Sequence, residues 1–467
     1  MLDAAPEPDD FFRHRGQIRG RGVGHDDYLR STHGRVVELT VIVLITAALF
    51  AWALVSARLQ RADLTAPVVF TAVGASLAWF GLVDAASPPA AITPVVEVTL
   101  VWVLFSDAAR LPLQQLRRDV SRYVRLLGIG LPLTIVFGWV LALWFFPQFG
   151  LWLALLVGAA LAPTDAALGV PVVTNPAVPS RIRQLITVES GLNDGIATPV
   201  VMVAIAGAAA AAGLESAPGP GSAAVELLVG AGVGAAIGAA GGWLLQLARR
   251  RGTGAEDFAG IGVLALSLLA YTAALAVGGN GFVAAFCAGL AFGTCAGQRA
   301  PAELVFVEQM GGLVSLLVWL AFGAITIPTM LANFVPLTLV YAVLSLTVVR
   351  MLPVALASIG AGLDRNTVLF VGWFGPRGLA SLVFALLAME TLGPVSDQAV
   401  AVIAATVLLS VLAHGFSAAP LAARYGRAAA AAGPEPGGPV TVTPAPDRGL
   451  SRKHTPAARI RPKRARP

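Results

Sequence analysis

Thr187-Val188-Glu189-Ser190-Gly191-Leu192-Asn193-Asp194-Gly195 lies inside an apolar stretch running from about 185 to 213. Two carboxylates, an amide and two hydroxyls crowd together where lipid-compatible side chains are otherwise the rule. A charge at a bilayer centre costs roughly 2.5–3.5 kcal/mol on insertion scales, so each such group needs a partner, a water-filled cavity or a function. Helical spacing sorts them. Glu189 and Asn193 are four apart and share a face, and Ser190 and Asp194 do likewise one step round. The Ser190 and Asp194 face offers hard oxygens, which suit a sodium-like cation and poorly suit softer metals.

The rest of the chain has the same character. Of 467 residues, 57% are hydrophobic and 12% charged, with mean hydropathy +0.77. A soluble chain carries about 25% charged residues, and a soluble core could not hide this much apolar surface. The expected class is an all-α polytopic membrane protein. A helix crossing the ~30 Å hydrocarbon layer takes about 20 mostly apolar residues. By that template about thirteen transmembrane helices are expected: 36–57, 66–84, 90–106, 124–146, 150–171, 185–213, 223–247, 257–277, 281–297, 303–327, 333–356, 367–390 and 397–422. The 50 glycines and abundant alanine permit close helix packing in lipid.

The net charge of +6 does not point to nucleic acid, because the basic residues sit between apolar runs and in the tails without aromatic interleaving. They read as topology signals. Arg58, Arg61, Arg110, Arg117, Arg118, Arg122, Arg125, Arg181, Arg183, Arg249, Arg250, Arg251, Arg299 and Arg365 share one side, which the positive-inside rule makes cytoplasmic, with the C-terminus. Thirteen crossings would put residues 1–35 outside despite their six arginines, a disagreement confined to the start. Three parts follow: a polar extension over 1–35, a transmembrane domain over 36–425, and an Ala/Pro/Gly-rich, then basic, tail over 426–467 that reads as disordered and cytoplasmic. No secretory signal precedes the first apolar run. Arginine-rich, alanine-rich usage points to a bacterial genome, hence to the bacterial cytoplasmic (inner) membrane. Cys287 and Cys295 read as small buried hydrophobes, and no cofactor is expected.

Two further segments interrupt their own helices. One reads Gly158-Ala-Ala-Leu-Ala-Pro163-Thr164-Asp165-Ala-Ala-Leu-Gly169, the other Gly372-Trp-Phe-Gly375-Pro376-Arg377-Gly378-Leu-Ala-Ser381. Pro163 has no amide proton, so the carbonyl of Ala159 loses its helical donor. A broken helix presents a positive amide end and a negative carbonyl end, so it can hold a buried carboxylate and a cation together. These are the fifth and twelfth candidate spans. Two inverted six-helix repeats joined by one linking helix would place them in corresponding positions, giving two discontinuous crossing helices. Proline kinks alone are common in membrane helices; proline beside a buried charge in both halves is the stronger signal. Asp194, desolvated between these segments, could hold a proton or a cation but not both. With Asn193 neutral, one titrating carboxylate stands at the centre, and one-for-one exchange there moves no net charge. Glu189 needs a buried counter-ion, and Arg377 is the expected one.

The ordered set Thr164-Asp165, Glu189-Ser190-Gly191-Leu192-Asn193-Asp194, Asn280-Gly-Phe-Val-Ala-Ala-Phe-Cys-Ala-Gly289 and Gly375-Pro-Arg377-Gly378 resembles the monovalent cation:proton antiporter superfamily, in its electroneutral bacterial Asn-Asp branch of sodium/proton antiporters. The resemblance covers about residues 36–425. It implies a homodimer in the lipid bilayer, with a dimer domain, a mobile core domain and elevator-like alternating access. It implies Asp194 as central ligand and proton carrier, with Asp165, Ser190 and the Thr164 backbone carbonyl completing coordination of transported Na+. Asn193 would bridge the broken helices, Glu189 would pair with Arg377, and Pro163, Gly375 and Pro376 would shape the breaks. One departure stands out: many members carry proline directly after the first aspartate, whereas here Ala166 follows and Pro163 precedes.

Several polar residues stay outside that reading. Glu97 could serve an ion route or a packing hydrogen bond; His414 could sense pH or cap a helix end; Arg350 could snorkel or pair. Asp84, Asp107, Glu308 and Glu390 lie near span ends and are expected to be solvated. Three alternatives remain: a potassium-preferring exchanger, an intramembrane aspartyl protease using Asp165 and Asp194 as a pair, and a passive channel. No Gly-x-Gly-Asp run supports the second.

Overall fold

A computed structural model of the chain describes residues 25–61, 64–83, 92–111, 120–165, 168–214, 220–297 and 300–431, and the described residues are helical apart from short connections. Eight of the described helices are long and apolar enough to cross a membrane, and three shorter apolar helices accompany them. In hydrocarbon a helix satisfies its own backbone polar groups, which is why apolar runs of this length take that form.

The first helix, α1 (His25–Arg61), starts well before the apolar run expected to open it. It is followed by α2 (Ala66–Trp79), α3 (Ile92–Ala109) and α4 (Val120–Phe145). A short helix, α5 (Gly150–Ala160), gives way to an irregular stretch and the one-turn α6 (Val170–Val173). Then come α7 (Ser180–Ala211), α8 (Pro220–Arg251), α9 (Glu256–Ala276) and α10 (Gly281–Cys295). Helix α11 runs over Ala300–Ala321 and continues through a π-helical turn, Phe322–Thr326, into Ile327–Ala332. Helix α12 (Pro336–Ala357) is bent at Thr347, and α13 (Arg365–Trp373) stops short before α14 (Leu379–Leu392) and α15 (Asp397–Ala431). Residues 1–24 and 432–467, most of the expected extension and tail, lie outside the described residues.

The helices fall into two groups. Helices α2, α3, α8, α9, α10 and α11 pack on one another, while α4, α5, α7, α12, α13, α14 and α15 form the second set. The groups meet chiefly where α3, α8 and α10 lie against α7, where α14 lies against α3, and where the end of α11 meets α15. Close approach inside the first group rests on missing side chains. A Cβ at Gly234 or Gly238 of α8 would overlap the carbonyls of Ala284 or Ala288 on α10, and a Cβ at Gly289 would overlap that of Phe105 on α3. That is the small-residue seam by which helices associate in lipid.

Both π-helical turns have a local cause. Leu126–Gly130 in α4 stands just before Pro132, and Phe322–Thr326 in α11 just before Pro328. A proline inside a helix cannot donate to the carbonyl four residues back and collides with it, and a widened turn relieves the collision.

Candidate functional site

The two interrupted segments cross. Helix α5 ends at Ala160, and the Ala159 carbonyl, expected to be stranded by Pro163, instead accepts the Ala162 N–H (3.3 Å) in a tightened last turn. The carbonyls beyond it are met from the other break. Ser381 Oγ donates to Ala160 O (2.6 Å), and Arg377 Nη1 donates to Ala162 O (2.7 Å) and Pro163 O (3.2 Å). In return the Asp165 N–H donates to Pro376 O (2.8 Å), and Asp165 Oδ2 accepts the Leu379 N–H (3.0 Å) at the start of α14. Each break therefore supplies the partners that the other lost. Gly378 is required at the crossing, because a Cβ there would overlap the Asp165 carboxylate.

Helix α7 lays its polar run against this crossing. Asn193 Nδ2 donates to Thr164 Oγ1 (2.7 Å), and the Thr164 and Ser190 hydroxyls, 2.9 Å apart, form a hydrogen bond that either can donate. Thr164, Ser190, Asn193 and Asp194 are all buried, Asp194 at 7% exposure. Thr198 Oγ1 donates to the Asp194 carbonyl (2.7 Å), which leaves the carboxylate untouched. Among the described residues, Asp194 Oδ1 and Asn193 Oδ1 accept no hydrogen bond. A buried acceptor left so costs about 1–3 kcal/mol, and such groups in a native fold call for an explanation. Among the described residues no group of three or more His, Cys, Asp or Glu side chains is placed to hold a metal ion. Hydroxyl and amide groups accompany the carboxylates here.

The pairing expected between Glu189 and Arg377 is corrected by the structure. Glu189 is held by Arg350 of α12 in a two-pronged contact, Nη1–Oε1 at 2.6 Å and Nη2–Oε2 at 2.8 Å, with both residues 2% exposed or less. Arg377 is wholly buried too, but its guanidinium reaches the carbonyl end of the α5 break through Nη1, and among the described residues its Nε and Nη2 have no hydrogen-bond partner. Arg350 also lies over the second break, since a Cβ at Gly375 would overlap its guanidinium.

Asp107 is a second correction. It is half-buried at the end of α3 rather than solvated, facing Gly191, where a Cβ would stand 3.7 Å from its own Cβ. Asp107 and Asp165 are both within electrostatic reach of Asp194. Next to Arg110 at a span end, Asp107 carries no motif that would have singled it out. One turn beyond Gly191, on the same face of α7, the Phe286 ring of α10 fills the space that a Gly195 Cβ would occupy. Asp194 thus lies on the helix where the two groups meet.

The remaining polar residues are accounted for. Glu97 accepts a hydrogen bond from the Tyr271 hydroxyl of α9. Glu308 pairs with Arg110, Glu390 is exposed, and Asp84 lies outside the described residues. His414 is buried against the second break. Both cysteines are free thiols.

Comparison with known proteins gives the family. The family described as "Sodium/hydrogen exchanger, transmembrane" matches residues 44–424. The chain belongs to the sodium/hydrogen exchanger family. Among curated relatives, the K(+)/H(+) antiporter NhaP of Alkalimonas amylolytica is 25% identical over 397 residues, covering 83% of this chain and 67% of its own. The K(+)/H(+) antiporter NhaP2 of Shewanella oneidensis is 26% identical over 330 residues, 69% of this exchanger-family chain and 56% of its own length. The chain thus spans little more than half of the Shewanella relatives it matches. A solved structure of the sodium proton antiporter MjNhaP1 from Methanocaldococcus jannaschii shares the fold, with TM-score 0.66 at 20% identity, covering 81% of this chain and 99% of that one.

Proposed function

We propose that the chain exchanges a monovalent cation, Na+ in the first reading, for H+ across a bacterial cytoplasmic membrane, and that Asp194 carries each in turn. The observation that carries this is the buried Asp194 Oδ1 with no hydrogen-bond partner among the described residues, beside the crossing of two broken helices. A bare carboxylate moving through a low-dielectric barrier is strongly opposed. A carboxylic acid, or a carboxylate paired with one cation, presents no net charge. Only those two forms pass from side to side, and that restriction couples the ions. Ser190, Asp165 and the Thr164 carbonyl complete the oxygens around the cation; Asn193, Glu189, Arg350, Arg377, Pro163, Gly375 and Pro376 hold the site in shape.

With a neutral Asn193 directly before Asp194 in the chain, the exchange is one for one and electroneutral. The two helix groups suit alternating access in which the group of α4, α5, α7 and α12 to α15 moves against the other, within a homodimer of about thirteen-helix subunits built from inverted repeats, its C-terminus cytoplasmic. K+ as the exchanged cation is the second reading, favoured by the K(+)/H(+) names of the bacterial relatives. The protease reading requires Asp165 and Asp194 to share a proton; the engagement of Asp165 Oδ2 with the Leu379 N–H speaks against it.

The test is proton efflux from proteoliposomes, titrated with Na+, K+ and Li+ at several pH values. Asp194→Ala is expected to abolish cation-driven proton movement, and an imposed voltage is expected to leave the wild-type rate unchanged. Full exchange by Asp194→Ala refutes the carrier role; steep voltage dependence refutes the stoichiometry.

A further inference from the structure

In the middle of the apolar helix α15, Ser410, His414 and Ser417 stand four and three residues apart and so share one face. All three reach the second helix break. Ser410 Oγ accepts the Arg377 N–H (2.7 Å), Ser417 Oγ accepts the Trp373 Nε1–H (3.0 Å), and His414 Nε2 lies 2.9 Å from the Trp373 carbonyl. Trp373 is the last residue of α13, and its carbonyl, which lacks a helical donor, accepts the Gly375 N–H (2.8 Å) within the break and takes His414 as a second partner.

A carbonyl only accepts, so the ring donates to the Trp373 carbonyl when Nε2 carries the proton, and to the Ser410 carbonyl, 2.9 Å from Nδ1, when Nδ1 does. With the proton on Nε2, Nδ1 offers a lone pair to the Ser410 hydroxyl 3.1 Å away, and that hydroxyl donates to the ring while its oxygen accepts from Arg377. Protonating Nδ1 would turn it toward the Ser410 carbonyl at 2.9 Å and deprive the hydroxyl of its acceptor. The charged groups that bear on the ring are Arg377 of the break and Arg350 of α12.

We infer that His414 is a positioning residue of the exchange site: with Ser410 it brackets the second helix break as a neutral hydrogen-bonded unit and, through that break, sets the Asp165 carboxylate. The route is short. Between Trp373 and Arg377, the two residues that the bracket grips, lies Pro376, whose carbonyl takes the Asp165 N–H, and two residues on is Leu379, whose N–H holds Asp165 Oδ2. The same Arg377 reaches the α5 break through Nη1. His414 is in this account a strut and not a pH sensor.

The inference rests on the exchange reading above and is tested beside it. Full-length His414→Ala, His414→Gln and Ser410→Ala are assayed in proteoliposomes against the unsubstituted chain, as rate against cation concentration and against pH. Glutamine keeps an N–H donor of similar reach; alanine does not. Losing one buried hydrogen bond at the site is expected to raise the cation KM about tenfold in His414→Ala and Ser410→Ala. The pH of half-maximal rate stays in place, and His414→Gln remains within about threefold of wild type. A pH profile displaced or flattened in both histidine variants overturns the inference in favour of a titrating sensor. An unchanged KM in the folded alanine variants overturns it as well. Should His414→Ala fail to assemble, Ser410→Ala and His414→Gln carry the same comparison. Wild-type protein without exchange refutes the functional reading itself and the inference with it, whereas active wild type with indifferent variants refutes the bracket alone.

Discussion

Glu189→Gln is the most informative single change, because it removes one charge from a buried pair while keeping nearly the same volume. Arg350 holds Glu189 through contacts of 2.6 and 2.8 Å, and neither residue is more than 2% exposed. Hydrogen bonds to charged groups contribute about 1.5–3 kcal/mol each, so two of them put the loss at roughly 3–6 kcal/mol before any compensation. Breaking one side of a buried ion pair costs about 3–5 kcal/mol by comparison with other proteins, and the glutamine oxygen retains part of one contact. A loss of about 3 kcal/mol is therefore expected. The assay is the thermal unfolding midpoint of purified protein in detergent, measured for Glu189→Gln, Arg350→Met, Arg377→Met and the two double variants that contain Glu189→Gln. Removing both members of a buried pair strands no charge, so Glu189→Gln with Arg350→Met should lose much less than the two single losses combined. Glu189→Gln with Arg377→Met should lose close to the sum. A Glu189→Gln midpoint equal to wild type, or non-additivity found with Arg377 instead, would refute the assignment.

Two other substitutions probe the crossing and the boundary between the helix groups. Gly378→Ala pushes a methyl group into the Asp165 carboxylate; overpacking of this kind costs about 1–3 kcal/mol, and cation KM should rise by about tenfold or more, with an unchanged KM as the contrary result. Gly195→Ala meets the Phe286 ring between α7 and α10, so it should slow turnover, and adding Phe286→Ala in the same chain should restore part of the rate. If the double variant is no faster than Gly195→Ala alone, that ring is not what the glycine accommodates.

The two helix breaks were legible in the sequence because proline and glycine flank a charge inside an apolar run, a combination that a plain membrane helix cannot hold. Thr164 hydrogen-bonds to both Ser190 and Asn193, joining the two faces of the sixth span that helical spacing had kept apart. The partner of Glu189 was not legible. Two arginines, Arg350 and Arg377, lie in apolar segments of the second half, and spacing along the chain cannot tell which guanidinium turns toward α7 and which toward the carbonyls of a broken helix. Asp107 escaped for a similar reason: a carboxylate three residues before an arginine at a span end looks solvated until α3 is seen against Gly191. The fate of the Ala159 carbonyl was misjudged because a tightened turn can recruit a donor, Ala162, that the α-helical pattern does not use.

The widened turn at Leu126–Gly130 bears on how α4 meets its surroundings. Val120 and Val124 are exposed below it, and Val136, Val140 and Trp144 above it. From Val124 to Val136 is twelve positions, which in a regular helix at ~100° each would swing the outer stripe about 120° out of line. An added residue in one wide turn cancels roughly one position of that rotation, leaving about 20°. The bulge thus works as a phase correction, letting a single greasy ridge run the whole height of α4 although the spacing of its residues, read on a wheel, would wind it round into the protein.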